Sequence, residues 1–263
     1  LNSYAKRLQS RINVEYQASS KLRYSNNISF SWQKGNTIPI ANTVRVVMDR
    51  PAYSLIYYPD GSLTSYVGSK RNPIANALYE QNIDETYSGQ FNNQLDYQLT
   101  NDLKLTTLFN ARLDNLQNTG FSPRFLSANK DQNSGSNEFT KTFSWEFQAF
   151  ANYNKTFAQD HNVYALLGFS ADRRRFDRFH SEYLNSVNEE VLVTFPDSLT
   201  SSKTYTSATA NATASLFSRI GYNYKSRYLL QASYRRDGSS RFGPSNKWGN
   251  FFSGSAAWRF SDE

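Results

Sequence analysis

The chain has 263 residues, 29 Lys and Arg against 22 Asp and Glu, a net charge of +7, no Cys, and 18 Tyr, 19 Phe and 4 Trp at a mean hydropathy of −0.67. Lack of Cys excludes disulfides and thiolate metal sites, and basic residues scattered among carboxylates argue against a nucleic-acid surface. The longest apolar run, around Ala165 to Phe169, is too short for a membrane helix. The large aromatic load with few Val, Ile and Leu describes a thin apolar surface spread along strands rather than a thick core.

Alternation of period two begins at once. Leu8, Ser10, Ile12, Val14 and Tyr16 alternate with Gln9, Arg11, Asn13 and Glu15. After the turn at 18–21, Leu22, Tyr24, Ile28, Phe30 and Trp32 oppose Arg23, Ser25, Asn27, Ser29 and Ser31. A long connection over 33–85 contains Pro59-Asp60-Gly61-Ser62, where Pro presets φ and Gly supplies a positive φ.

Two more strands, Phe91–Leu99 and Leu103–Arg112, flank the turn at 100–102. A connection over 114–139 leads to Phe143, Trp145, Phe147, Ala149, Ala151 and Tyr153, then the turn at 158–161 and Val163 to Ala171. A third connection, 176–210, precedes Leu216–Tyr224, the turn at 225–227, and the strand Tyr228–Arg235. The last connection, 237–250, leads to a strand at Phe251–Phe260.

Nine strands joined alternately by short turns and long connections have the asymmetry of an outer-membrane barrel, with short turns periplasmic and long loops extracellular. Tyr16, Tyr97, Tyr153, Tyr222, Tyr224 and Tyr228 cluster beside the short turns as an interfacial girdle. In an odd-numbered up-and-down sheet the first and last strands run parallel, and an open edge in lipid is prohibitive. The expected fold is therefore all-β, an antiparallel up-and-down transmembrane barrel present as an arc of about nine strands, with residues 1–263 forming part of one barrel domain. A soluble β-sandwich binding module is the alternative, since its strands also alternate.

Candidate sites are few. Arg173, Arg174 and Arg175, with Asp172 before them and Arg178 after, are expected at the loop end of the sixth strand, as a solvated rim or a site for lipopolysaccharide phosphates or an anionic substrate. Tyr53, Tyr57, Tyr58 and Tyr66 of the first long connection are candidates to stack on sugar rings, or to pack the loop. His161 in a turn and His180 in a loop have no metal-ligand spacing, and residues 131–135 lack the spaced acidic ligands of a Ca²⁺ loop. Adjacent Glu189 and Glu190 are weak evidence for glycosidase chemistry. No nucleophile elbow or phosphate loop is present, so the reading is of a non-enzyme with no cofactor and no metal.

Arg236-Asp237-Gly238-Ser239-Ser240-Arg241-Phe242-Gly243, with Asn246-Lys247-Trp248-Gly249-Asn250-Phe251 and Ala257-Trp258-Arg259, resembles the SusC/RagA family of TonB-linked outer-membrane transporters of Bacteroidetes. Tyr153–Phe157, His161–Val163 and Leu166–Ser170 agree with it. The family pattern has Pro at Phe252, Arg at Lys247 and Glu at Asp262, which are mild departures.

The resemblance implies a barrel of about 22 strands around a plug. It further implies uptake of glycan fragments or peptides energised through TonB, a SusD-like surface lipoprotein as lid, and a plug, TonB-contacting segment and signal peptide outside this sequence. Another TonB-dependent receptor, of siderophore type, is the alternative within the barrel class. For the motif itself, an ion pair between Asp237 and Arg241 shaping the rim is expected.

Overall fold

The computed structural model describes residues 3–37, 44–45, 47–49, 55–67, 70–127, 132–186, 189, 203–243 and 245–260. The elements are β1 (Tyr4–Gln17), β2 (Leu22–Asn36), β3 (Tyr66–Val67), β4 (Lys70–Arg71), α1 (Pro73–Tyr79), β5 (Gln81–Gln98), β6 (Leu103–Ser122), β7 (Ser134–Phe157), β8 (His161–Leu184), β9 (Lys203–Tyr224), β10 (Tyr228–Ser239) and β11 (Trp248–Trp258). Nine of the strands form a single antiparallel sheet in the order β1-β2-β5-β6-β7-β8-β9-β10-β11, and β3 with β4 makes a separate ribbon. One continuous sheet excludes the two face-to-face layers of a sandwich. The sheet is an open arc whose edges are β1 and β11.

Register fixes which side chains share a face, because residues directly opposite in a ladder point the same way. Tyr16↔Tyr24, Ile12↔Ile28 and Leu8↔Trp32 join the apolar sides of β1 and β2. The same face continues through Trp145 opposite Arg173, and Leu216 opposite Arg236. The opposite face carries Asn13↔Asn27, Arg112↔Ser144↔Arg174 and Arg235↔Phe217. The first face meets lipid and the second lines the barrel interior. One polar pair interrupts the apolar face: Asn26 donates to Asn93 Oδ1 at 2.7 Å, and Tyr24 donates to the same oxygen. The shared bonds satisfy Asn93 Oδ1 on the face that would otherwise present it to lipid.

The strands are longer than the alternation predicts, and the four long connections are correspondingly shorter. β2 reaches Asn36, β5 starts at Gln81, and β8 runs on to Leu184, so the segments 33–36, 81–85, 114–122, 134–139 and 176–184 are strand and not loop. A tilted strand crosses the hydrocarbon in about ten residues. Beyond that height both faces meet water and the sequence stops alternating, while the backbone ladder continues.

Trp32, Tyr87, Trp145 and Trp248 lie on the apolar face about ten residues in from the short turns, forming a second girdle opposite the tyrosines.

Short turns fall where the sequence puts them. Ala158 and Gln159 at φ 47° and 67°, and Lys225 and Ser226 at φ 52° and 57°, take left-handed backbone without glycine. The long connections are built on two fully buried asparagines. Asn72 caps α1 by accepting from Ile74 N at 3.0 Å while donating to Ile56 O at 2.9 Å, with Pro73 in the first turn where no N–H is needed. Asn133 donates to Ser186 O at 2.9 Å and accepts from Ser186 N at 2.7 Å, tying the start of β7 to the end of β8. Around them lies the small apolar core, with Ala75, Ala77, Leu126, Phe121 and Tyr183 buried.

Four aromatic rings lie over the glycine directly opposite them: Tyr164 on Gly221, Phe217 on Gly168, Tyr183 on Gly135 and Trp248 on Gly238. A Cβ at Gly221 would collide with the Tyr164 ring, so only hydrogen leaves the ring its place. Tyr164 then donates to Gln231 Oε1 at 2.9 Å on the next strand but one. Gly221→Val is expected to lower the unfolding free energy of the full-length barrel by about 1–3 kcal/mol through overpacking. A urea midpoint equal to wild type would overturn this account of the pairing.

Candidate functional site

The interior face is a wall of paired polar groups. Asp114 accepts from Arg112 Nε at 2.8 Å and Ser88 Oγ at 2.6 Å, and Asn110 donates to Glu146 at 3.1 Å. Asp96 lies 3.1 Å from Lys104 Nζ and accepts from Thr106 at 2.7 Å; Thr213 donates to Asp172. Arg112/Asp114, Arg175/Asp177 and Arg235/Asp237 are each two residues apart, so the strand's period of two sets both members of a pair on one face. A hollow of about 480 Å³ on this wall is lined by Gln90, Asn110, Arg112, Glu146, Asp172 and Arg174 among others. At the long-connection end a second cavity of about 650 Å³ is lined by Asn82, Gly120, Ser136, Glu182, Tyr183 and Lys203, with Asn76 and Glu80 beside α1. Both offer amide and hydroxyl groups beside charged ones, Arg112, Glu146, Asp172 and Arg174 in the first and Glu80, Glu182 and Lys203 in the second, a surface suited to hydrogen-bonding hydroxyl- or amide-rich solutes.

The arginine group predicted at a rim does not act as one cluster. All four residues belong to β8, and strand parity divides them: Arg174 and Arg178 face the interior, Arg173 and Arg175 the apolar side. Arg178 donates to Glu138 and lies over the Tyr205 ring at 5.6 Å. Arg175 holds Asp177 at 2.9 Å.

His180 is likewise in strand and not in a loop. Its ring nitrogens stand 3.1 Å from Glu138 Oε2 and 3.1 Å from Glu182 Oε1. Glu189 is a structural acceptor, taking Arg124 N at 2.8 Å and Asn133 Nδ2 at 3.0 Å; Glu190 lies outside the described residues. Among the described residues no three His, Asp or Glu side chains gather as a metal site requires.

Of the four tyrosines predicted on the first connection, Tyr57, Tyr58 and Tyr66 are among the described residues. Tyr57 and Tyr58 are exposed beside the turn at Gly61, whose φ of 83° is the positive value its sequence predicts. Asp60 closes that turn by accepting from Ser62 N at 2.9 Å and Ser62 Oγ at 2.6 Å, and these bonds hold its carboxyl below the ordinary range. Tyr66 accepts from Arg71 Nε at 3.0 Å, and Tyr53 lies outside the described residues.

One cluster went unseen in the sequence because it joins strands fifty residues apart. Past the lipid band, Glu85 Oε1 accepts from Trp32 Nε1 at 2.8 Å and Tyr87 OH at 2.8 Å, and Oε2 from Lys34 Nζ at 2.9 Å. Bonds from Trp32, then Lys34 and Tyr87, hold the Glu85 carboxyl at about 2. A depressed carboxyl stabilises the fold above its unfolded value near 4.5 and loses that contribution only as pH falls toward about 2. The stability difference between wild type and Glu85→Gln is therefore expected to stay constant from about pH 7 to pH 5 and to shrink below that. Urea midpoints across the series check it, and a difference that fades already by pH 6 would overturn it.

The motif beginning at Arg236 closes the β10–β11 corner and locks it to β9. Arg236 points to the apolar face with its guanidinium 5.2 Å from the Trp248 ring centre, and Gly238 lies beneath that ring. Ser240 replaces a missing strand partner: its N–H donates to Ala212 O at 2.9 Å, and its Oγ accepts from Ala212 N at 2.9 Å. Ser239 N donates to Lys247 O at 3.1 Å, Ser239 Oγ accepts from Arg241 N at 3.2 Å, and Phe242 N closes the turn on Ser239 O at 3.2 Å. Gly243 accepts from Asn246 N at 3.0 Å, and Gly249 stands opposite Asp237.

The expected Asp237–Arg241 ion pair is replaced by Asp237–Arg235 at 2.6 Å. Arg235 is on the same strand face, whereas Arg241 has passed the corner and reaches Asn211 Oδ1 at 3.4 Å. Ser240→Ala is expected to cost about 0.5–1.5 kcal/mol and Asp237→Ala less than about 1, because the partner Arg235 is exposed and keeps its bond to Ser215 when the carboxylate is removed. Denaturant midpoints check the ordering, and its inversion would show that the motif works through the ion pair.

No family model matches the chain. The chain is 30% identical over 268 residues to the TonB-dependent receptor P39 of Formosa agariphila, an alignment covering 98% of this chain and 25% of that protein. It is 28% identical over 269 residues to the TonB-dependent receptor P26 of the same organism, covering 96% and 26%. Over 56 residues, 21% of this chain and 6% of the relative, it is 43% identical to the TonB-dependent receptor SusC of Bacteroides thetaiotaomicron. The chain thus spans about a quarter of the length of the long-matching relatives.

In fold it is similar to the RagAB peptide transporter, with a TM-score of 0.83 at 18% identity over 99% of this chain and 31% of that one. The ferric preacinetobactin receptor BauA of Acinetobacter baumannii is more distant, at a TM-score of 0.53 and 8% identity over 97% and 37%. These proteins are receptors and transporters, not enzymes. The unbroken ladder, its two aromatic girdles and these likenesses make the chain similar to the TonB-dependent receptors, SusC among them, and in fold to an arc of their barrel.

Proposed function

We propose that the full-length protein imports glycan fragments or peptides, driven through TonB and lidded by a SusD-like surface lipoprotein, with the long connections at the cell surface and the short turns periplasmic. In this reading residues 1–263 contribute part of one barrel domain, in contact with outer-membrane lipid, and the plug and remaining strands come from the rest of the protein.

The observation that carries the proposal is the interior wall with its two hydrogen-bonding cavities, of about 650 and 480 Å³, beside a fold likeness of 0.83 to a peptide transporter. Paired carboxylates and arginines leave little net charge on the wall, which suits neutral, hydroxyl- or amide-bearing solutes better than highly charged iron chelates. Tyr57 and Tyr58, exposed on the first long connection, are available to a sugar ring or to the lid.

Cells expressing the full-length receptor with its adjacent lipoprotein are expected to accumulate labelled oligosaccharide or oligopeptide, and to lose that uptake when TonB is deleted. Co-purification of the lipoprotein in detergent is the accompanying measurement. Uptake confined to ferric siderophores, with no lipoprotein retained, would overturn the proposal in favour of an iron receptor.

A further inference from the structure

Strand parity places three cations on the lipid-facing side where hydrocarbon gives way to headgroups. In the β7–β8 ladder, Trp145 faces Arg173, Phe143 faces Arg175, and Lys141 faces Asp177. Trp145 belongs to the second girdle, so Arg173, Arg175 and Lys141 climb from that girdle away from the membrane centre. Lys141, Arg173 and Arg175 are exposed. Asp177 is the one carboxylate among them; it is held 2.9 Å from Arg175, which leaves an excess of positive charge.

The neighbouring strand leaves room beside these cations. Ala208, Ala210 and Ala212 of β9 stand opposite Asp177, Arg175 and Arg173. Above them a hollow of about 340 Å³ is lined by Phe139, Asp177, Phe179, Thr206 and Ala208, together with Arg178 and Ser207 of adjoining positions. Basic side chains at headgroup height, an apolar ring beneath them and a shallow alanine floor form a surface complementary to a phosphorylated, multi-chain lipid.

We propose that Lys141, Arg173 and Arg175, beside the alanine floor, form a site for the phosphates of lipid A in the outer leaflet. Arg forks pair bidentately with phosphate oxygens, and Lys adds a point charge. The acyl chains lie against Trp145, Phe143 and the apolar rows below. Arg174 and Arg178, on the other face of the same strand, take no part. The inference rests on the orientation proposed above, with the long connections outward. That orientation has its own test: an epitope inserted in the 240–247 connection must be accessible on intact cells.

The test is native mass spectrometry of the full-length receptor in detergent, titrated with bis-phosphorylated lipid A, dephosphorylated lipid A and inorganic phosphate. Wild type is expected to retain the phosphorylated lipid. The triple variant Lys141→Gln, Arg173→Gln, Arg175→Gln is expected to bind it at least about tenfold more weakly. Arg174→Gln serves as the control on the interior face and is expected to match wild type. Heat-modifiable migration on a denaturing gel establishes that each variant is folded. Equal retention by the triple variant, an equal loss in Arg174→Gln, or equal binding of dephosphorylated lipid would overturn the site. Displacement by millimolar inorganic phosphate would reassign it to free phosphate and overturn the lipid proposal.

Discussion

Backbone N–H and C=O groups inside a bilayer have no water to bond, and a strand satisfies its own only by pairing on both sides. Everything else in this chain follows from that requirement. The nine strands form one uninterrupted ladder with β1 and β11 at its edges. Side chains are then free to differ on the two faces, which is why the sequence alternates so plainly between aromatic or aliphatic residues and Ser, Asn, Gln and Arg. Among side chains, Asn26 and Tyr24 both answer Asn93 Oδ1 on the face turned toward lipid.

The ladder also explains why several features that look like binding chemistry are structural. Residues two apart on a strand are neighbours on one face, so an Arg and an Asp at that spacing find each other before any ligand does. Arg112 with Asp114 and Arg235 with Asp237 are two instances on the interior face. The motif that carries the family resemblance is similarly a piece of architecture. Gly238 yields its side-chain space to Trp248, Arg236 covers that ring from the apolar side, and Ser240 continues the ladder onto β9 after the strand proper has ended. A residue larger than glycine, or one lacking the hydroxyl, would leave the corner either crowded or unbonded.

At the long-connection end the constraint changes, because the backbone there is in water and may leave the sheet. Buried asparagines take over the organising role. Asn72 satisfies the first turn of α1 and a carbonyl of the preceding loop, and Asn133 couples the ends of β7 and β8. Their effect is to hold the walls of the polar cavity between α1 and the tops of β5 to β9 without an extensive apolar core.

The amino-acid sequence by itself determined the strands that cross the membrane, their two faces, the short turns, the girdle of tyrosines and the likeness to TonB-dependent receptors, because each of these is a local pattern of period two or a contiguous motif. It also determined the turn at Gly61, whose positive φ only glycine adopts freely. Tertiary structure decided where the strands end, since above the lipid both faces are wet and alternation no longer marks a strand that is still hydrogen-bonded. It decided that Arg173 and Arg175 part from Arg174 and Arg178, that Asp237 turns to Arg235, and that Trp32, Lys34, Glu85 and Tyr87 meet. These outcomes depend on register between strands, which is set by the whole ladder and is not written in any one stretch of sequence.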